Sequence, residues 1–192
     1  MQDGCADPDP GPEPDGPSRA VLIAALLLAV IAVGAVLAVA ASRRTPPAPV
    51  AIAAVPAPQA GSPECRSLVA TLPDRLGGYT RAIAAEPVPD GTAAWRGSAG
   101  SAQGPGPDPV IMRCGLSRPA EFVVGSPLQV VDDVGWFRID DADTQRSTWV
   151  AVDRPVYVAV TLPTGSGPAP IQALSEVIAR TMPAMPPRPG PN

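Results

Sequence analysis

The sequence contains no histidine and no lysine; all 14 of its basic residues are arginine. Without histidine the chain has no imidazole general base, no imidazole metal ligand and no Ser-His-Asp triad of its own. Without lysine it forms no Schiff base. Aromatic residues are also scarce, with three Trp, two Tyr and two Phe among 192 residues, so any core must rest mainly on aliphatic side chains. The net charge is −4 and no basic patch is large enough to follow a phosphate backbone, which argues against nucleic-acid binding.

Charge is missing altogether from residues 20–41, AVLIAALLLAVIAVGAVLAVAA, which open on Ala20 and close on Ala41. A helix of that length spans the roughly 30 Å hydrocarbon core of a bilayer. A buried core helix would be shorter and amphipathic. A cleaved signal would carry a shorter apolar run and a basic rather than acidic leader. The stretch therefore reads as a membrane anchor. Its flanks give a mixed orientation signal. Arg43 and Arg44 follow it and only Arg19 precedes it, so the positive-inside rule alone places the C-terminal part in the cytoplasm.

Cysteine usage points the other way. Cys5 lies in the acidic leader, whereas Cys65 and Cys114 share the only region rich enough in apolar residues to fold. That pair fits one disulfide formed in an oxidising compartment. The alternative is two buried thiols in a reduced one. Two cysteines without histidine do not make a four-ligand zinc site, and they are not spaced as a redox C-x-x-C pair.

The 28 Pro and 18 Gly concentrate outside that region. Residues 1–19 read as a disordered acidic tail, 42–63 as a Pro/Ala spacer of polyproline character, and 184–192 as a second disordered tail. Residues 64–183 remain for one domain. Within it Cys65, Leu68, Val69 and Leu72 mark a helical face that Pro73 ends. Residues 97–109 read as a long mobile loop. Runs at 110–114, 122–124, 134–139, 147–152 and 156–162 read as strands, with Asp153-Arg154-Pro155 as a hairpin connection. Ile171, Leu174, Val177, Ile178 and Met182 form the stripe of a closing helix. The expected class is α+β: an antiparallel sheet with a short N-terminal helix and a C-terminal helix packed on one face, behind one transmembrane helix.

No catalytic residue or cofactor is indicated. Asp132, Asp133, Asp140, Asp141 and Asp143 are the only concentration of carboxylates, but they lack the glycine and glutamate of a calcium loop and read as turn residues. Trp95, Trp136 and Trp149 are candidates either for a carbohydrate platform or for sheet packing. Arg113, Arg118 and Arg154 are candidates for an anionic ligand, or for pairing with neighbours such as Asp153. The candidate binding surface is thus Trp95, Arg113, Arg118, Trp149 and Arg154.

Several spaced elements together resemble a known family. They are the run from Arg113 through Cys114, Gly115, Leu116, Ser117 and Arg118 to Pro119, then Val134-Gly135-Trp136, and the long run from Thr148 to Pro163. With Cys65, Leu72-Pro73 and Ala93-Ala94-Trp95, they resemble the actinobacterial family known as domain of unknown function 3515. The arginine-only, Ala- and Pro-rich composition suits a GC-rich bacterial genome. The resemblance implies a short tail, one membrane segment and an exported domain. It brings no activity and no catalytic residue. Residues 96–109 are longer than its pattern. The leading expectation is a membrane-anchored envelope protein, not an enzyme, acting through protein contacts outside the membrane. A polysaccharide- or peptidoglycan-binding module comes second, and an Asp/Glu-dependent hydrolase third.

Overall fold

The computed structural model describes residues 18–42, 48–97 and 108–191, in two compact units, Met1–Pro47 and Ala48–Asn192. The acidic leader with Cys5, the arginines at 43 and 44, and most of the stretch expected to be a mobile loop lie outside the described residues.

The first unit is helix α1, Arg19–Ser42. Its mean hydropathy is 3.1, and its described side chains are exposed on every face. A soluble helix hides such a surface. At 1.5 Å per residue, its 24 residues reach about 36 Å. The helix is long and apolar enough to cross a membrane, and by the same measure it fits a signal sequence.

The second unit begins its regular structure with α2, Pro63–Thr71. Ser62 caps it by accepting the Cys65 N–H at 3.2 Å, and Pro63 sits at the first turn, where no donor is needed. Strands β1 (Arg75–Leu76), β2 (Tyr79–Ala82), β3 (Thr92–Gly97), β4 (Val110–Leu116), β5 (Gln129–Val131), β6 (Val134–Asp141), β7 (Arg146–Ala151) and β8 (Tyr157–Pro163) follow, and α3, Ala169–Thr181, ends the series. The strands form one sheet in the order β1-β2-β3-β4-β8-β7-β6-β5, every pair antiparallel. The fold class is the α+β arrangement expected.

Alternation along the strands separates two faces. On one, Trp95, Met112, Cys114, Trp136, Val158 and Val160 pack against Leu68 of α2 and Leu174 and Ile178 of α3. The Cys65–Cys114 disulfide, with Cα atoms 5.6 Å apart, joins α2 to β4 inside this core. Closing its loop stabilises the domain by about 4 kcal/mol on the chain-entropy account.

The opposite face carries two smaller clusters. In one, Val50 and Ile52 cover Ala94 and Ile111; in the other, Phe122 and Phe137 pack with Val150 and Ala159, the two rings 5.4 Å apart. These clusters correct the expected boundaries. Residues 48–62 are not a free spacer. Val50 bonds into the chain at Ile83 and Ala85, and Gln59 donates to the Gly115 carbonyl at 3.0 Å. A Cβ on Gly115 would lie 2.3 Å from the Ala60 nitrogen, so glycine is required there for the close approach. Nor is the end of the chain a loose tail. Met185 donates to Asp153, and Gly190 both donates to Phe122 and accepts from Val124. Residues 122–124, expected as a strand, form a single bridge from Val123 to Gly190. In each case proline-rich chain folds because the sheet supplies partners for its few apolar residues and free backbone groups.

Candidate functional site

Apart from Asp140, which lies within β6, the acidic residues sit at turns. Asp132 and Asp133, at φ 44° and 62°, form the two-residue connection between β5 and β6, a place for side chains that tolerate left-handed backbone. Asp141 accepts the N–H groups of Asp143 and Thr144 at 3.1 Å. These bonds and the Thr144 hydroxyl hold the Asp141 carboxyl below its ordinary value, the hydroxyl contributing most.

The five residues singled out for binding do not share a surface. Trp95 is fully buried, its indole donating to the Pro73 carbonyl at 2.9 Å with the Arg81 guanidinium 4.8 Å from the ring centre. Trp136 is likewise internal and donates to Ser175 at 2.9 Å. Arg154 is buried. It pairs with Asp153 at 3.0 Å and donates to the Asp133 carbonyl at 2.7 Å, tying the β5–β6 turn to the β7–β8 connection. The Asp153 carboxylate completes the tie by accepting the Gly135 N–H at 2.8 Å. Arg118 is exposed and lies against Gly190. Arg113 is half-buried on the face away from the helices.

Of the five, Trp149 lines a cleft. The cavity, about 490 Å³, opens between the ends of β5, β6 and β7, the loop after β8 and the first turn of α3. Gln129, Arg138, Asp140, Trp149 and Gln172 contribute to its walls. Arg138 faces Trp149 across the β6–β7 pair. Its guanidinium lies 5.5 Å from the indole centre and pairs with Asp140 at 2.7 Å. A half-buried aromatic, a cation, a carboxylate and two amides therefore converge on one concavity of ligand-binding size. Chemically it offers donors and acceptors over an apolar base. Among the described residues no group of three or more Cys, Asp or Glu is placed to hold a metal.

Residues 26–187 match the family described as Protein of unknown function (DUF3515). The chain belongs to that family. The DUF3515 match starts inside α1 and ends within the C-terminal segment, so it takes in the stretch before α2 and Met185 but stops short of Gly190. No curated protein and no solved structure matches the chain significantly.

Sequence reasoning reached Trp149 but missed Arg138, Gln129 and Gln172. These residues come from three elements, and only strand register and the placement of α3 unite them with Trp149. Asp140 was visible merely as one turn aspartate among five.

Proposed function

We propose that this DUF3515 protein is a single-pass, non-enzymatic envelope protein. Helix α1 anchors it, and its disulfide-closed domain stands outside the membrane and binds a polar segment of cell-envelope polysaccharide or peptidoglycan. The cleft over Trp149 carries this reading. Its size suits a small ligand or a short stretch of polymer, and its lining combines an indole with the hydrogen-bonding groups that a polyhydroxylated chain demands. The buried Cys65–Cys114 bond supports an oxidising location over the cytoplasm.

Protein contact is the second reading, and edge strand β5 favours it. Val130 is 74% exposed there, and the strand's outer edge pairs with no other strand of the sheet.

Retention of the detergent-solubilised chain on purified cell-wall material tests the proposal. Trp149→Ala and Arg138→Ala are expected to abolish retention while Arg118→Gln keeps it. Absence of retention by the wild type, or equal retention by the cleft variants, would remove the glycan reading and leave protein contact.

A further inference from the structure

Arg113 departs from the usual treatment of buried charge. It sits on β4, half-buried, and makes no hydrogen bond or ion pair among the described residues; its Nε is buried without an acceptor. A guanidinium taken from water is costly unless something accepts its hydrogens. Arg154, the comparable cation elsewhere, shares the unpaired Nε but has the Asp153 carboxylate and two backbone carbonyls for its other nitrogens.

The sheet register shows what surrounds Arg113. It lies opposite Ala159 of β8, and two residues on Thr161 points to the same face. Thr161 lies opposite Thr148 of β7, with their hydroxyl oxygens 3.2 Å apart. Arg146 is two residues before Thr148 and shares the face. The four residues form a diagonal, Arg113, Thr161, Thr148, Arg146, and all are half-buried. On one side lies the Val50–Ile52–Ile111 cluster and on the other the Phe122–Phe137 cluster.

Burial lowers the Arg113 pKa, and the nearby positive charge of Arg146 lowers it further. Among the described residues no acid pairs with Arg113. Asp108 pairs with Arg146 at 3.4 Å from an exposed position and does not meet Arg113. Asp141, the cross-strand partner of Arg146, gives a carboxylate oxygen to the N–H groups of its own turn.

We propose that Arg113, Arg146, Thr148 and Thr161 form a binding site for a phosphate group, carried by a phospholipid headgroup or by a soluble phosphate ester. The register sets the two arginines at the ends of one diagonal and the paired threonine hydroxyls between them; among the described residues Arg113 is free and Arg146 is held only by an exposed Asp108. A tetrahedral group with several charged oxygens can accept from all of them. A planar carboxylate is satisfied by one fork. The site is on the sheet face away from the helices, and its residues, apart from Arg146 at the strand end, do not line the cleft over Trp149. It can therefore fail or hold independently of the glycan reading.

The test is calorimetric titration of inorganic phosphate into the full chain in maltoside micelles, with phosphate-free buffer at low salt. Saturable binding is expected. Arg113→Gln and Thr161→Val should each weaken it by about 10-fold or more, the usual effect of removing a donor to a charged acceptor. Arg118→Gln should leave it unchanged, and acetate should not displace phosphate. Thr161→Val nearly preserves side-chain shape, so it decides the matter if Arg113→Gln unfolds. Doping the micelles with phosphatidylglycerol separates the sources. Competition with phosphate in the wild type identifies a lipid headgroup, and its absence identifies a soluble ester. No saturable heat, wild-type affinity in Thr161→Val, or equal displacement by acetate would overturn the proposal.

Discussion

The two faces of the sheet are covered by different kinds of chain. One face carries two helices whose apolar stripes interlock with Trp95, Trp136 and the valines of β8 across a disulfide. The other is covered by irregular, proline-rich segments that each insert only a few apolar side chains, Val50 and Ile52 from before α2 and Phe122 from the chain after β4. Large side chains on regular elements make a deep core. Sparse ones on irregular chain make a shallow cover held by backbone hydrogen bonds. The thinly covered face leaves the Arg113 diagonal half-buried between its two clusters.

Removing the seam of the helix face should have the largest effect. The Cys65→Ser, Cys114→Ser double variant is expected to lose about 4 kcal/mol, measured by chemical denaturation of the full chain in micelles. A loss below 1 kcal/mol would show that α2 is held by packing alone. Next comes the shallow cover. Deleting residues 184–192 removes the bonds of Met185 and Gly190 and the Arg188 carbonyl that accepts the Tyr157 hydroxyl at 3.2 Å. At roughly 1 kcal/mol net for each bond, offset by regained chain entropy, the expected loss is about 2–3 kcal/mol.

Ile52→Ala sharpens the comparison further. A buried isoleucine in a rigid core loses up to about 5 kcal/mol on truncation to alanine, whereas a cover that can settle should lose about 2. A value near 5 would mean that both faces are equally tight, and a value near zero that residues 48–52 do not belong to the domain.

The smallest effect is electrostatic. Because the Asp141 carboxyl is held below its ordinary value in the folded chain, its contribution is present above the unfolded pKa and fades as pH falls through the lower, folded value. The Asp143 and Thr144 amide resonances should therefore titrate with a midpoint below that of an ordinary aspartate. A midpoint at or above the ordinary value would contradict the hydrogen-bonded turn.

The same contrast explains what was legible in the sequence. Helices α2 and α3 and strands β4, β6, β7 and β8 announce themselves through periodicity, since each buries one face against a deep core. Strand β3 hides because Ala93 and Ala94 are small and glycine- and proline-rich chain surrounds it. Strand β2 hides because Arg81 occupies a position facing Trp95. In the N-terminal cover, Val50 and Ile52 alternate with alanines among prolines, a signal too brief to outweigh composition. The cleft was half legible: Trp149 stands out by residue type, but its partner Arg138 is fixed only by cross-strand register.

The central claim is that the folded domain stands outside the membrane. Cys65 and Cys114 are fully buried and make poor reporters, whereas Val130 is largely exposed. A Val130→Cys variant in a Cys5→Ser background should be labelled by a membrane-impermeant maleimide in intact cells, to the same extent as in permeabilised ones. Labelling that appears only after permeabilisation would put the domain in the cytoplasm and contradict the account.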